Sequence, residues 1–510
     1  MESESLYTED NWNEFFEKTV NRNKIKTYKH FDYIFDFRNE GHKVKAMVSD
    51  TSLRQVAEHS FTPHLKILTK TPRYKFDEES DTYNLETKIR PISFASHFDS
   101  YIYSFYAFTL NQAYQRYIKT GGFEQCVLAY RSDLNGACNI QFAKRAFDSI
   151  KSMCQSHGKC TSIALDITGY FDNIDHTVLK EKWCDIIGLP NLPKDQYKVF
   201  RSLTNYSYVS KASLLKHFDL DLNKFNNWRT LLDLIPADLA GPSYREKFGL
   251  LRKRQLVVRN KPKTDKDGNI TCRGIPQVSQ MSSVLSNIYL IDFDKWLNNL
   301  SKILDFHYFR YCDDLLIVCK SENAKYLISE IIASIKNEFK LTIQERKSEI
   351  IEFRPNCKGI VRAFNAKGVD KRNISKSNEQ RFYKNLQYLG FEYNGMNIYI
   401  RPGSLSRYFR IAKGRILKTM MMAYGKKTKI QKIYRKQLFL KYSHFGKRNF
   451  ITYAQNASKK EYKNSEGIIR EGLNSISIKR QLSAHFGILQ KELEKESGQF
   501  SIKKGVDNKM

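Results

Sequence analysis

Two apolar runs in the sequence end in acidic residues, and this pattern constrains the fold more than any other feature. Residues Ser162–Leu165 are a predicted buried strand that ends at Asp166. Residues 307–319 contain two apolar strands around Asp313 and Asp314, which predicts a hairpin with both carboxylates at its tip. A carboxylate at the end of an apolar strand is costly unless it binds something. For either segment alone, ordinary turn aspartates are the alternative.

The three carboxylates suit a divalent metal if the two segments are neighbouring strands. Adjacent carboxylates such as Asp313 and Asp314 repel each other, and a divalent cation neutralises them. Asp166 and Asp313 could then share two ions about 4 Å apart, an arrangement that serves phosphoryl transfer. Hard oxygen ligands favour Mg²⁺, and Mn²⁺ could take its place.

A third segment, Arg273–Leu290, is predicted to be a loop followed by a core helix. Gly274 and Pro276 shape the loop, and Ser279 or Ser282 is placed to cap the helix. The apolar face of that helix contains Val284, Leu285 and Ile288. Alone, this stretch does not point to a function.

The charge balance points to a polyanionic partner. The 510 residues hold 85 Lys and Arg against 54 Asp and Glu, a formal charge of +31. Such an excess favours nucleic acid binding, although a solvated lysine-rich surface gives the same balance. The excess of positive charge is greatest in residues 401–480, which contain 21 Lys and Arg, three Glu and no Asp, for a net charge of +18. Apolar residues recur there at helical spacing, so we expect basic amphipathic helices.

Composition also argues against several other classes of protein. The length suits two to four domains, and 41% hydrophobic residues are enough for their cores. We expect no membrane span, because no apolar run reaches the roughly 18 residues required, and no signal peptide, because Met1–Asp10 is acidic. Nine scattered cysteines suit a reducing cytoplasm. Cys154, His157 and Cys160 lack a fourth ligand nearby, so no zinc site is expected.

Together these segments resemble the palm motifs of reverse transcriptases, especially the prokaryotic group II intron, retron and abortive-infection lineages. Asp166 matches the first catalytic aspartate, and Tyr311–Asp314 matches the Tyr-x-Asp-Asp box. Gly274–Leu290 matches the helix that supports template and incoming nucleotide. The metal ligands that the resemblance implies are Asp166, Asp313, Asp314 and the backbone carbonyl of Ile167.

Further family motifs are matched along the chain. Lys88–Ile92 resembles the fingers motif that meets the nucleotide triphosphate, and Tyr130–Arg131 resembles the next fingers motif. Phe171 stands where the family keeps an aromatic gate against a ribose 2′-hydroxyl, which implies a DNA product, with core packing as the alternative. Leu389–Phe391 resembles the primer-grip hairpin. Lys347 resembles the catalytic lysine that protonates pyrophosphate, with a plain surface lysine as the alternative. The implied substrate contacts are Lys88, Arg90, Phe171, Gln277 and Tyr311, and the implied nucleic-acid contact in the fingers is Arg131.

The resemblance implies an α+β fold, namely a right-hand polymerase with fingers, a ferredoxin-like antiparallel palm and a basic helical thumb. We expect an N-terminal region of unknown role at 1–75, fingers at 76–160, a palm at 161–400 and a thumb or C-terminal region at 401–510. The stretch 177–270 is longer than the family leads us to expect, and is predicted to be an insertion in the palm.

The predicted activity is RNA-directed DNA synthesis from dNTPs on a structured non-coding RNA, with cDNA as the product. The expected location is the bacterial cytoplasm, without a membrane, and a homo-oligomer is left open. We expect the densest basic cluster of the chain to bind this RNA, with a solvated helix face as the alternative. That cluster is Lys426, Lys427, Lys429, Lys432, Arg435 and Lys436, beside Tyr424 and Tyr434.

Departures from the family pattern leave several alternative functions open. Val278 and Ser283 stand where many group II relatives have Gly and Pro. With no appended endonuclease evident, the chain looks most like the defence-associated abortive-infection and unknown-group enzymes, which implies a role in antiviral defence. One alternative is an untemplated or protein-primed DNA polymerase, and another is an RNA-binding scaffold with a vestigial polymerase site. A third is an RNA polymerase, which Phe171 argues against.

Overall fold

The structure is a computed structural model of the chain. It describes residues 6–21, 25–77, 82–221, 229–241, 243–264, 268, 270–277, 279–367, 378–425 and 433–507. Within these ranges, no helix is both long and apolar enough to cross a bilayer.

The helices form where apolar residues recur every three or four positions. In Asn139–His157, for example, Ile140, Ala143, Phe147, Ile150 and Cys154 are buried along one face. In chain order the helices are α1 (Glu9–Asn21), α2 (Phe37–Val48), α3 (Arg54–Glu58), α4 (His97–Thr120), α5 (Asn139–His157), α6 (Tyr170–Asn173), α7 (His176–Ile187), α8 (Lys194–Thr204), α9 (Lys211–His217), α10 (Ala237–Ala240), α11 (Tyr244–Lys253), α12 (Gln280–Tyr289), α13 (Ile291–Leu304), α14 (Ala324–Asn337), α15 (Pro402–Ala423), α16 (Arg435–Tyr442), α17 (Phe450–Ser458), α18 (Ile476–Leu482) and α19 (His485–Asp507). Short 3-10 helices span Leu232–Leu234, Glu345–Lys347 and Glu379–Phe382.

The strands form several separate sheets. In chain order they are β1 (His64–Asp77), β2 (Thr82–Phe94), β3 (Cys160–Asp166), β4 (Ser207–Ser210), β5 (Val257–Arg259), β6 (Lys263–Thr264), β7 (Ile270–Thr271), β8 (His307–Tyr311), β9 (Asp314–Cys319), β10 (Glu349–Pro355), β11 (Val361–Asn365), β12 (Leu386–Tyr388), β13 (Phe391–Tyr393), β14 (Ile398–Ile400), β15 (Glu461–Lys463) and β16 (Ile469–Glu471). The motif at 88–92 that resembles the fingers motif of the family therefore lies in β2.

The palm is a five-stranded antiparallel sheet in the order β11-β10-β3-β9-β8. Both of its faces are covered, which explains why β9 is apolar at every position after its first residue. Leu315 and Ile317 of β9 pack into one core with α12, α13 and α14. Leu316 and Val318 pack into a second core with α5. The structure is thus α+β, as predicted, with an antiparallel sheet backed by helices.

Two distant parts of the chain meet in the region that was predicted to contain the fingers. A second sheet has the order β2-β1-β4-β5, so residues 207–259 add strands beside β1. They share a small core that includes Leu65, Val209 and Leu251. The stretch 177–270 therefore contributes β4 and β5 to this second sheet, and the division of the chain into domains stays a prediction. The predicted limit at residue 75 falls inside β1. Local periodicity does not reveal which distant strand pairs with which.

The C-terminal region is mainly helical, as predicted, but it also contains the hairpin β15–β16. Tyr408 and Ile416 of α15 and Ile451 of α17 belong to the same core as the palm helix α5. The hairpin rests on the start of that helix, where the Gln141 amide donates to the Tyr462 hydroxyl at 3.2 Å and to the Glu471 carbonyl. The C-terminal region and the palm therefore share one continuous core.

Candidate active site

The register of the palm sheet brings the three acidic residues together. Asp166, the last residue of β3, pairs directly with Asp314, the first residue of β9. The Ile167 N–H donates to the Asp313 carbonyl at 3.1 Å, so the strand end and the hairpin tip are also bonded to each other. Cys312 makes the two-residue turn with a φ of 58°. The predicted hairpin and the predicted neighbourhood of the carboxylates are confirmed.

Burial, together with neighbouring carboxylates, raises the pKa of Asp313 and of Asp314. Removal from bulk water raises the pKa of Asp314 to about 7, with added repulsion from Asp313 and Asp166. Burial likewise raises the pKa of Asp313. Two cations partly offset this repulsion: Lys347, whose Nζ contacts the Asp166 carboxylate, and Arg401, which acts on Asp314 at longer range. The chemistry of these oxygen donors suits a divalent ion. Within the described parts of the chain, however, no three His, Cys, Asp or Glu side chains are already grouped so that they could hold one by themselves.

We expect Asp314→Asn to stabilise the metal-free protein at alkaline pH. The folded-state pKa of Asp314 lies above its unfolded value, so the penalty of ionising this carboxyl grows as pH rises from about 4 to about 7. The variant removes that charge. In EDTA at about pH 8 its unfolding temperature should exceed the parent's by about 2–4 °C, and at about pH 5 the difference should be about half as large or less, because only part of the penalty has developed there. An equal difference at both pH values would contradict the repulsion.

A buried ion pair supports the turn that carries Asp313. The Arg310 and Asp294 side chains are fully buried and pair through two hydrogen bonds, one of them 2.7 Å from Nε to Oδ1. The Tyr308 hydroxyl also donates to Asp294 at 2.8 Å. Arg310 Nη1 donates to the Cys312 carbonyl and to the Asn287 side-chain oxygen, each at 3.2 Å. This buried network holds the tip of the β8–β9 hairpin in place. No pattern in the sequence had predicted it.

The loop that holds Gln277 packs on the turn that holds Phe171. Gly274 has a φ of +93°, and a Cβ there would lie 3.0 Å from the Asp172 carbonyl oxygen. The Ile275 N–H donates to the Phe171 carbonyl at 2.9 Å, and the Gln277 amide donates to the Asp172 carboxylate at 3.3 Å. Gln277 and Phe171, which were predicted from separate motifs to contact the nucleotide, therefore lie in two segments that are bonded to each other.

The same loop is joined to the fingers strand β2. The Ser93 N–H donates to the Gln277 carbonyl at 3.2 Å. Arg90 lies three residues earlier, about 10 Å along the strand, and its side chain is exposed. Lys88 lies two residues before Arg90 and thus points to the same face of β2. β2, the strand that carries Lys88 and Arg90, is therefore anchored beside the loop that holds Gln277.

Comparisons with known proteins identify part of this region. Residues 244–393 match the family model described as "Reverse transcriptase (RNA-dependent DNA polymerase)". The chain carries a reverse transcriptase domain. The match includes Asp313, Asp314 and Lys347 but begins after Asp166, which the pairing of β3 with β9 joins to the domain. A search of curated proteins finds no significant match.

Similar solved structures include fungal telomerases. One is apo telomerase from Candida tropicalis, truncated from the C-terminal domain, at 9% identity over 71% of this chain and 60% of that chain, with a TM-score of 0.34. Another is telomerase from Candida albicans in complex with the TWJ fragment of telomeric RNA, at 11% identity over 72% and 54%, with a TM-score of 0.33. The chain thus spans less than two thirds of the length of either.

The nucleic-acid contact predicted for Arg131 is at odds with the surroundings of its side chain. Its side chain is only 4% exposed and is held by protein partners, including the Asp133 carboxylate and the Val127 carbonyl. A guanidinium so engaged is not presented to nucleic acid, and the predicted contact does not fit. Its residue type suits phosphate binding, but sequence alone does not show that neighbouring carbonyls satisfy it.

The predicted cap of the supporting helix also differs in detail. Ser279 occupies the N-cap position of α12, but its hydroxyl makes no capping bond. The Ser282 hydroxyl donates back to the Pro276 carbonyl and closes the loop. Ser283 lies in the first turn of α12, whereas Val278 falls outside the described residues.

The remaining predicted site residues lie near the carboxylates, in the turn after β12 or in the C-terminal region. Ile167 is buried beside Asp166, and Tyr311 is half-buried at the end of β8. Leu389 and Gly390, with φ values of 46° and 90°, make the turn of the predicted primer-grip hairpin. Arg435 and Lys436 are exposed on α16, and their RNA contact stays a prediction. Lys426, Lys427, Lys429 and Lys432 lie outside the described residues.

Proposed function

We propose that the protein is an RNA-directed DNA polymerase that copies a structured non-coding RNA partner into cDNA. The observation that carries the proposal is the pairing of Asp166 with Asp314 beside Asp313, within a reverse transcriptase domain. We further propose that it belongs to the defence-associated prokaryotic enzymes and acts in the bacterial cytoplasm against viruses. That part rests on the family resemblance of the motifs.

Asp166, Asp313 and Asp314 would hold two Mg²⁺ ions, with the Ile167 carbonyl as a further donor. Bound there, the ions would lower the pKa of the attacking 3′-hydroxyl and neutralise the leaving pyrophosphate. Mn²⁺ would serve as a substitute. Lys347, whose Nζ contacts the Asp166 carboxylate, would give a proton to the leaving pyrophosphate.

The neighbouring loops would orient the dNTP. Lys88 and Arg90 would neutralise and position the triphosphate, since guanidinium binds phosphate through paired hydrogen bonds. Gln277 and Phe171, held together by the loop contacts, would bound the sugar. Tyr311 would support the primer end of the site from β8. Catalysis by this chain is therefore mainly positioning and charge neutralisation.

The test is nucleotide incorporation by the purified full chain together with its co-purifying RNA. Mg²⁺ and each labelled nucleotide are added in turn, and the product is treated with RNase, DNase and protease, with EDTA as the control. A DNase-sensitive product that depends on the RNA supports the proposal, and its sequence identifies the template. A product that forms without RNA, or that shifts on protease treatment, would replace it with untemplated or protein-primed synthesis.

Phe171→Ala should admit ribonucleotides. The ring lies at the turn that meets the Gln277 loop, where it would clash with a 2′-hydroxyl. We expect the preference for dNTP over rNTP, measured as the ratio of kcat/KM values, to fall by about ten-fold or more, because a steric clash of this kind is worth at least 1–2 kcal/mol. Phe108→Ala, outside this turn, is the matched control. An unchanged ratio in Phe171→Ala would show that the ring is only core packing.

A further inference from the structure

A surface pocket lies among the helices that cover one face of the palm sheet. It has a volume of about 460 Å³ and is lined by residues of α4, α7 and α13 and of the turn after α4. Small-molecule sites typically have volumes of about 300–1,000 Å³, so the pocket is large enough for one. None of its lining residues belongs to the carboxylate cluster or to the Gln277 loop. We name it the α4 pocket, after the helix that contributes Ala113, Arg116 and Tyr117.

The floor of the α4 pocket is apolar. Phe123, from the turn after α4, is fully buried, and Ala113 of α4 and Ile186 of α7 are buried beside the pocket. The half-buried Tyr117 ring meets the Phe123 ring edge to face, with 6.4 Å between the two centroids. Aromatic and aliphatic side chains of this kind pack well against a flat apolar group. The floor therefore suits a ligand with an aromatic body.

Two cations line the α4 pocket, and no carboxylate does. Arg116 of α4 and Lys295 of α13 approach it from different helices, and both side chains are exposed. Asp292, about one helical turn before Lys295, pairs instead with Lys182 at 2.6 Å, and Asp185 pairs with the same lysine at 3.1 Å. Across the described part of the chain, Arg116 and Lys295 themselves form no ion pair. The two unbalanced charges therefore suit an anionic group such as phosphate.

Two of the lining residues are joined to the buried Asp294–Arg310 pair. The Cys126 N–H donates to the Phe123 carbonyl at 3.3 Å, and the Arg310 N–H donates to the Cys126 carbonyl at 2.7 Å. On another side of the pocket, Lys295 directly follows Asp294 in α13. The pair supports the turn of the β8–β9 hairpin. A ligand that contacts both Phe123 and Lys295 would therefore restrain the segments on which that hairpin rests.

We propose that the α4 pocket is a regulatory nucleotide site, with the base on the apolar floor and the phosphate on Arg116 and Lys295. A nucleotide combines a flat aromatic body with a compact anionic group, and the pocket presents a matching surface to each part. The bound nucleotide would steady the β8–β9 hairpin and would not itself be incorporated. Binding there requires neither a metal ion nor a primer–template, so it goes beyond the proposed function and does not depend on it.

The test measures binding to the full chain by isothermal titration calorimetry in EDTA, where no metal ion can hold a nucleotide at the carboxylates. The probes are AMP, adenosine and inorganic phosphate. The test variant is Arg116→Gln with Lys295→Gln. The matched control is Lys119→Gln with Lys302→Gln, which removes two exposed cations from the same two helices outside the pocket. All four side chains are exposed, so both variants should fold like the parent.

We expect the parent to bind AMP about ten-fold or more tightly than either adenosine or phosphate, because AMP alone engages both the floor and the cations. The test variant should bind AMP about ten-fold or more weakly than the parent, since it loses both charged contacts, and the matched control should bind AMP like the parent. Absence of AMP binding to the parent, equal affinity for AMP and phosphate, or an equal loss in the matched control would overturn the proposal.

Hydrogen exchange tests the link to the hairpin. Saturating AMP should slow exchange of the Cys126 and Arg310 amides by about three-fold or more in the parent, and unchanged exchange would overturn the regulatory role. AMP should still bind Asp313→Ala/Asp314→Ala, and loss of binding there would place the nucleotide at the carboxylates instead. None of these measurements uses synthesis, so failure of the proposed function and failure of the pocket are told apart.

Discussion

Replacing Asp313 and Asp314 together with alanine should abolish nucleotide incorporation. Both side chains lie at the tip of the β8–β9 hairpin, opposite Asp166, and the double variant removes two of the three clustered carboxylates. Metal-assisted charge stabilisation is worth several kcal/mol, so a loss on the order of 10³-fold or more in kcat/KM is expected. The measurement is RNA-dependent dNTP incorporation in Mg²⁺, with product length read on a gel.

The control for this variant is Glu322→Ala with Glu338→Ala, which removes two exposed carboxylates flanking α14 and should leave synthesis unchanged. Binding of the primer–template should persist in Asp313→Ala/Asp314→Ala, since the loss is in chemistry. Full synthesis by the double variant would refute the catalytic assignment and favour a binding protein with a vestigial site.

Arg310→Met should cost about 3–5 kcal/mol of the free energy of unfolding of the palm, because it leaves the Asp294 carboxylate buried without its partner. It should also reduce synthesis strongly, since the guanidinium holds the Cys312 carbonyl directly before Asp313. Hydrogen exchange of the β8 and β9 amides, followed against denaturant, measures the stability of this part of the chain.

Two comparisons separate the parts of that effect. Lys43→Gln breaks an exposed pair with Glu40 and should cost less than about 1 kcal/mol. Arg310→Met combined with Asp294→Leu removes both buried charges, so stability should largely return. Synthesis should not return with it, because the Cys312 carbonyl still lacks its donor. Recovery of both would show that the pair acts only through stability.

The chemistry-bearing strands could be predicted because their pattern is local. The apolar run before Asp166 and the paired runs around Asp313 and Asp314 each specify a buried strand, and two strands with acidic ends imply a shared site. The turn chemistry of Leu389 and Gly390 is equally local. Each of these features was confirmed by the strand bounds and the pairing register.

The remaining features depend on partners that are distant in the chain. The pairing of β4 with β1 joins residues 207–210 to 64–66, and no periodicity encodes that choice. In the sequence, Asp294 and Arg310 look like ordinary charged residues. Only the folded chain shows that they are buried against each other. Arg131 suited phosphate by residue type, but the backbone carbonyls beside it already satisfy its guanidinium. Burial and pairing decide these cases, and both are properties of the folded chain.

The core common to the palm and the C-terminal helices has a consequence for how the molecule unfolds and moves. Because Tyr408, Ile416 and Ile451 interdigitate with residues of the palm, the two parts cannot separate without exposing apolar surface to water. Melting of residues 402–458 and of the palm should therefore be cooperative, in a single transition. We accordingly expect the palm sheet and these helices to move together as one rigid body.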